Sequence, residues 1–325
     1  MRLTMKAIVY DRYGTPDVLE LREVAEPEIG ERDVRVRVHA AGVSAGDGHL
    51  LTGAMWAVRL YQGLVRPKRR VLGHDVSGVV EAVGSEVTRF RPGDEVFGAS
   101  PDAGTFAELV RVPEETLAPK PSRLTHEQAA AVPTAALTAL QGLRDKGHLQ
   151  AGQDVLVNGA SGGVGTFAVQ IARALGARVT AVCSARKAEA VRSLGAERVL
   201  DYAREDFTRR EERYDVVLDL VGNRPLAACR GVLTPDGTYV AVSGHPLRTL
   251  WVAVAGGRRS AAFISQPDRV DLETLRELLE SGRIRPLVDR VFSLADTAEA
   301  FRYHASRAAA GKVVIAVPAT SQPPA

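Results

Sequence analysis

Arg35-Val36-Arg37-Val38-His39 alternates polar and apolar side chains, the two-residue period of a strand with one wet face. Short runs of β character recur over Lys6–Tyr10, Val18–Val24, Asp33–Ala40, Gly78–Val83, Glu95–Phe97 and Phe106–Val112, separated by Gly, Pro and Asp. Residues from Met5 to about Pro121 therefore read as a mainly β module. Within it, Ala41–Gly53 reads as a glycine-rich connection with room for a ligand, and Trp56–Arg70 as a less regular, basic stretch.

Past Pro121 the period changes. Leu124–Arg144 contains an Ala-rich helical segment that opens at Thr125, a plausible capping residue, and the apolar strand Asp154–Asn158 turns through glycines into a helix over Gly163–Leu175. Strand and helix then repeat: Val179–Cys183, helix Arg186–Leu194, Val199–Leu200, Asp215–Val221, a short helix near Pro225–Val232, Tyr239–Ser243 and Ala262–Ser265. Parallel strands need crossover helices and bury both faces, so this half predicts an α/β parallel sheet. Helix Asp271–Gly282 carries a stripe at Leu272, Leu275, Leu278 and Leu279, which packing alone explains. Gly311–Val317 reads as a strand able to return to the first module.

Composition narrows the function classes. The 325 residues exceed one ordinary compact domain, so two are expected. Only Cys183 and Cys229 occur, which leaves no disulfide scaffold and no four-cysteine zinc site. The 42 basic and 39 acidic residues are spread along the chain, so nucleic acid is not an expected partner. No run approaches the roughly 20 apolar residues of a membrane span, and Met1–Lys6 leads into a strand without a signal-like region. The expectation is a cytoplasmic protein with no membrane partner.

The strongest chemical signal is Asn158-Gly159-Ala160-Ser161-Gly162-Gly163-Val164-Gly165, an Ala-x-Gly-x-x-Gly turn between strand and helix. Gly162 lets backbone approach a pyrophosphate, Gly165 lets the helix pack close to the sheet, and the helix N-terminus favours an anion. Ala160, Ser161, Gly163 and Val164 complete the proposed dinucleotide cradle. After the second strand the chain reads Ser184-Ala185-Arg186-Lys187, with no carboxylate for a ribose 2′-hydroxyl but a hydroxyl and two cations for a 2′-phosphate. NADPH is the expected cofactor; the alternative leaves Arg186 and Lys187 as solvated helix-opening residues.

Together with Val71–Gly84 and Phe90–Gly98, this loop resembles the medium-chain dehydrogenase/reductase superfamily, over nearly the whole chain. The glycine turn and Leu137-Thr138-Ala139-Leu140 are most similar to its zinc-independent quinone oxidoreductase branch. The resemblance implies a GroES-like, mainly β catalytic domain, residues 1–122 completed by 283–325, and a Rossmann NADPH-binding domain, residues 123–282, with the active site in the cleft. It implies NADPH-dependent reduction of quinones or other α,β-unsaturated carbonyls by a homodimer, for which an edge strand at Ala262–Ser265 is the expected interface. The alternatives are an NADP-dependent alcohol or aldehyde oxidoreductase and a low-turnover NADPH-binding or sensing protein.

Zinc-dependent members hold the metal with cysteine, histidine and cysteine; the matching positions here are Ser44, His74 and a site near Thr134. Hydroxyls are poor zinc ligands beside thiolate, so no metal is expected. Catalytic candidates carried by the resemblance are Ser44, Asp47, His49 and His74. Asp47 either hydrogen-bonds and orients His74 or stabilises a turn between Gly46 and Gly48, and His49 is either a proton donor or an exposed loop histidine. On the cofactor side the resemblance adds Thr138, Tyr202, Val221, Gly222, Ser243, Gly244, Gly311 and Lys312. Thr138 bonding back to its own helix, and Gly222 and Gly244 serving as turn glycines, are the plainer readings. Arg66-Pro67-Lys68-Arg69-Arg70 is a solvated loop or an anion site.

Overall fold

The computed structural model describes residues 3–54, 56–242, 252 and 257–318. They form two compact units: those within 1–134, 267–280 and 288–325 make the first, and those within 135–266 and 281–287 the second. The first unit thus extends past the sequence boundary at residue 122 and takes in a helix, Arg269–Glu280, that the sequence reading placed with the Rossmann domain.

In chain order the first unit opens with β1 (Thr4–Val9), β2 (Glu20–Ala25), β3 (Asp33–Val43), α1 (Ala45–Thr52), α2 (Trp56–Gln62), β4 (Asp75–Val83), β5 (Glu95–Ala99), β6 (Leu109–Pro113), β7 (Leu117–Pro119) and α3 (His126–Ala130). The Ala-rich helical segment expected within Leu124–Arg144 is divided between two helices. Thr125 caps α3 as expected, but a second helix, α4 (Pro133–Gln141), begins at Pro133, which cannot donate a backbone hydrogen bond to a continuing helix.

The second unit continues with β8 (Asp154–Asn158), α5 (Gly163–Ala174), β9 (Arg178–Cys183), α6 (Ala188–Ser193), β10 (Arg198–Asp201), β11 (Tyr214–Asp219), α7 (Leu226–Gly231), β12 (Leu233–Ala241) and β13 (Ser260–Ala262). The chain then supplies α8 (Arg269–Glu280), β14 (Val288–Ser293), α9 (Thr297–Ala305) and β15 (Lys312–Ala316) to the first unit.

Antiparallel β1 and β2 form a ribbon beside a larger sheet ordered β14-β15-β3-β4-β5-β7, with β6 also on β3. The alternation in β3 buries Val34, Val36 and Val38 completely, while Arg35 on the other face meets Glu81 at 2.8 Å. β3 runs three residues beyond the expected Ala40, because Gly42 pairs with Asp75 and Val43 with Val313. The returning strand is confirmed, since β15 pairs antiparallel with β3. Helix α8 buries Leu272, Leu275 and Leu279 and is tied within this unit by Arg89–Glu273 at 3.0 Å and the Ser122 backbone N–H donating to Glu280 at 2.7 Å.

The second unit is a six-stranded parallel sheet ordered β10-β9-β8-β11-β12-β13. Counting strands from β8, this is 3-2-1-4-5-6, the Rossmann order, which reverses between β8 and β11. Val155, Leu156 and Val157 are completely buried, as strands covered on both faces must be. Three strands shift clearly from expectation: β11 stops at Asp219, so Val221 and Gly222 follow it; β12 begins at Leu233, before the expected Tyr239, and ends at Ala241; and the edge strand is Ser260–Ala262.

Candidate active site

In the first unit the stretch expected to be a loop after Val43 is helix α1, and Ser44 is its N-cap. Ser44 Oγ accepts from the Asp47 backbone N–H at 3.3 Å, and Asp47 Oδ2 accepts from the Ser44 N–H at 2.8 Å, a reciprocal capping box that satisfies two otherwise orphaned donors. Ser44 Oγ–H also donates to Oδ2 at 2.6 Å. The other carboxylate oxygen, Oδ1, takes a bond from His74 Nδ1 at 2.8 Å. Asp47 therefore fulfils both roles between which the sequence left a choice: it closes the first turn of α1 and fixes the imidazole.

Asp47 is fully buried and His74 is one-quarter exposed at its side chain. Burial alone would raise the Asp47 carboxyl, but the bond and charge of His74 and the bonds from Ser44 hold it below the ordinary carboxylate range. Burial disfavours the His74 cation, yet the bond and charge of Asp47, with the charge of Asp75, raise its pKa above the usual histidine value. His49 lies on α1 two positions after Asp47, and positions two apart on a helix do not face one another.

Asp75, the next residue after His74, is also fully buried. It accepts from the Thr134 N–H at 2.8 Å and from Lys312 Nζ at 2.9 Å. Lys312, expected beside the cofactor, is thus held by its ammonium inside the first unit at 4% exposure, just after Gly311, which has φ +96°. The three zinc-ligand positions present a capping hydroxyl, an imidazole bonded to Asp47 and a threonine whose N–H is used by Asp75. Among the described residues no group of three His, Cys, Asp or Glu side chains is arranged to hold a metal ion. This donor set does not fit catalytic zinc.

In the second unit Gly162 is the N-cap of α5 and leaves the first-turn N–H groups without a side-chain cap. A Cβ on Gly162 would meet only the Gly159 carbonyl, at 3.5 Å, so its absence leaves open space for a close approach; a Cβ on Gly165 would lie 2.2 Å from that same carbonyl. Gly165 thus lets helix and strand pack closely, and the open space at Gly162 fits a pyrophosphate. Ala160 is buried, whereas Ser161, Gly163 and Val164 are partly exposed. Ser184 and Lys187 are partly exposed and Arg186 exposed just after β9, in a short 3-10 turn.

Tyr202, 55% exposed, follows β10, and its backbone N–H donates to the Cys183 carbonyl at 3.2 Å. Thr138 Oγ1 lies 2.8 Å from Ser265 Oγ, a tertiary contact in addition to any bond within its own helix. Ser243 and Gly244 lie outside the described residues. The sequence reading missed Asp219, a buried acid closing the apolar run Val216-Val217-Leu218, and the acid at the end of so apolar a strand was the available signal.

The first unit also holds a cleft of about 700 Å³ lined by His39, Glu95, Lys120, His126, Phe292 and Val317, among others, and by none of the site residues expected from sequence. Its imidazoles His39 and His126 stack with ring centres 4.4 Å apart. His126 also bonds Ser77 Oγ at 2.9 Å and Glu95 at 3.1 Å.

Comparison with known proteins agrees with this architecture. The alcohol dehydrogenase GroES-like domain family matches residues 30–122, and the zinc-binding dehydrogenase family matches residues 194–315. A mitochondrial NAD(P)H oxidoreductase of Mus musculus is 36% identical over 96% of this chain and 89% of its own length. The 2-methylene-furan-3-one reductase of Solanum lycopersicum is 35% identical over 96% of this chain and 79% of its own. The solved quinone oxidoreductase of Coxiella burnetii superposes with a TM-score of 0.88 at 32% identity, covering 97% of this chain and all of that one. The chain belongs to the medium-chain dehydrogenase/reductase superfamily, in its quinone oxidoreductase-like branch, and is a nicotinamide-dependent oxidoreductase. No helix among the described residues is long and apolar enough to cross a membrane.

Proposed function

We propose that the protein is a zinc-independent, NADPH-dependent reductase of quinones or other α,β-unsaturated carbonyls. The observation that carries this reading is the chain Ser44–Asp47–His74, in which a hydroxyl and a carboxylate orient an imidazole where related enzymes place a thiolate and a metal-bound histidine. A simple carbonyl reduced by hydride places full negative charge on one oxygen, which ordinarily calls for a Lewis acid. A conjugated acceptor spreads that charge into an enolate or phenolate, and an oriented proton donor suffices. NADPH, when bound, supplies the hydride.

His74 supplies the proton. With Nδ1 engaged by Asp47, its Nε2–H is the free donor, and its raised pKa keeps more of the donor form at neutral pH. Donation leaves a neutral imidazole that is reprotonated from water, while Asp47 stays ionised and holds the ring in place. Ser184, Arg186 and Lys187 take the 2′-phosphate; the exposed Arg186 and the absence of an acid at that turn support NADPH over NADH. The edge strand β13 is the proposed homodimer contact.

The test follows absorbance of reduced coenzyme with a benzoquinone, a straight-chain enone and a simple aldehyde, each with NADPH or NADH and with a strong chelator. Turnover of the first two with NADPH, unaffected by chelation, is expected. Chelator-sensitive aldehyde turnover overturns the metal-free reading, NADH preference overturns the coenzyme choice, and coenzyme binding without turnover of any acceptor favours a sensing role.

A further inference from the structure

The sheet of the second unit reverses between β8 and β11, and in open α/β sheets the ligand crevice lies beyond the carboxyl ends of the strands at that point. Asn158 ends β8 and Asp219 ends β11, and the two pair side by side in register. Asp219 is fully buried. Its Oδ1 accepts from Asn158 Nδ2 at 2.8 Å and from the backbone N–H groups of Val221 and Gly222 at 3.1 and 2.9 Å; its Oδ2 accepts from the Tyr239 hydroxyl at 2.6 Å. Asn158 Nδ2 reaches on to Asn223 Oδ1 at 3.1 Å, and its carbonyl accepts from Leu220 N–H at 3.0 Å.

A buried carboxylate costs several kcal/mol unless its lone pairs are occupied, and among the described residues four neutral donors serve them. Three of the four belong to the turn after β11 or to the residue that opens the glycine turn. The two turns also touch: a Cβ on Gly159, which has φ +90°, would lie 2.7 Å from Val221 Cγ2. Neither turn can shift without moving the other.

We propose that Asn158 and Asp219 form a clasp across the switch point that sets the spacing between the glycine turn and the Leu220–Asn223 turn for the nicotinamide half of the coenzyme. Both are positioning residues; neither needs to touch the coenzyme. The adenosine half is served by Ser184–Lys187 at the end of β9, on the other side of β8, and does not depend on the clasp. The inference rests on nicotinamide dependence and not on the identity of the acceptor.

The experiment measures dissociation constants on the full chain for the preferred coenzyme and for its adenosine fragment, adenosine 2′,5′-bisphosphate for NADPH or AMP for NADH, with melting curves alongside. Asn158→Ala is expected to weaken the whole coenzyme by about tenfold, as a small misplacement of binding groups does, and to leave the fragment within about twofold. Its coenzyme KM should rise while kcat at saturation holds. Tyr239→Phe, which removes a donor on the far oxygen only, should lower the melting temperature yet spare coenzyme affinity.

Equal loss of coenzyme and fragment in Asn158→Ala, no loss of either, or an affinity loss in Tyr239→Phe matching that of Asn158→Ala overturns the clasp. Should Asn158→Ala fail to fold, Asn158→Ser is read by the same criteria. A wild-type chain that binds neither coenzyme overturns the dinucleotide reading and the clasp together, whereas binding to wild type with no effect of the variants overturns the clasp alone.

Discussion

The two units bury carboxylates by different chemistry. In the first, Asp47 is matched by an imidazole and Asp75 by a lysine ammonium. In the second, the partners of Asp219 among the described residues are an amide, a phenol and two backbone N–H groups. The imidazole exchanges a proton and so couples Asp47 to pH, and loss of the lysine leaves Asp75 without its cation. Neutral donors fix positions in space and are indifferent to pH across the physiological range. The contrast suits the division of labour in the proposed reaction, with proton handling in the first unit and coenzyme placement in the second.

The largest effect should come from breaking the buried ion pair. Lys312→Met leaves Asp75 charged, fully buried and short of its cation, at a cost of about 3–5 kcal/mol. Urea unfolding at pH 7 measures it. Asp75→Asn added to Lys312→Met removes the stranded charge and should recover part of the loss, because an asparagine oxygen still accepts from the Thr134 N–H. A loss below about 1 kcal/mol in the single variant would show that the pair is not shielded from water, since exposed ion pairs are worth no more than that.

Next in size is the effect on turnover. His74→Gln should lower kcat/KM for an enone by roughly 100-fold, the usual contribution of a positioned general acid. Because activity requires the protonated ring, kcat/KM of the wild type should fall as pH rises through the raised His74 pKa. Asp47→Asn removes the charge that raises that pKa, so the alkaline limb of its profile should move to lower pH. A limb that stays in place would mean that His74 is not the group titrating.

What could be read beforehand followed the same division. The cofactor loop was legible because it is local: a strand, a turn and a helix adjacent in sequence, with Gly162 and Gly165 answering to separate steric needs. The return of β15 to the first module was legible from a run of apolar residues. The capping box is masked in the sequence, although Ser44 and Asp47 stand at its spacing, because the glycines at positions 46 and 48 point to a loop. Lys312 and Asp75 lie 237 positions apart, and nothing local in either strand announces the partner. Asp219 was hidden for a related reason, since its donors come from β8, β12 and its own following turn.

The smallest predicted effect separates the two histidine environments within the first unit. Burial lowers the His39 pKa, against the pull of Glu95 and Glu127 and with a contribution from Arg37; burial, then His39 and Lys120, lower that of His126 against Glu95. Both rings are therefore held neutral in the folded protein relative to the unfolded chain. The unfolded chain binds the extra protons, so the stability contributed by this stacked pair is complete above about pH 6.5, the unfolded histidine value, and is lost as pH falls through the lowered folded values. His74 has the opposite sign: its contribution is complete below about pH 6.5 and is lost as pH rises through its raised folded value. Urea midpoints of wild type and of His39→Gln/His126→Gln, taken from pH 7.5 to 5, should converge on acidification, with a difference at pH 5 smaller by up to about 1 kcal/mol than at pH 7.5. A gap that widens on acidification would show that the stacked rings gain a proton on folding, and would remove the distinction between this pair and His74.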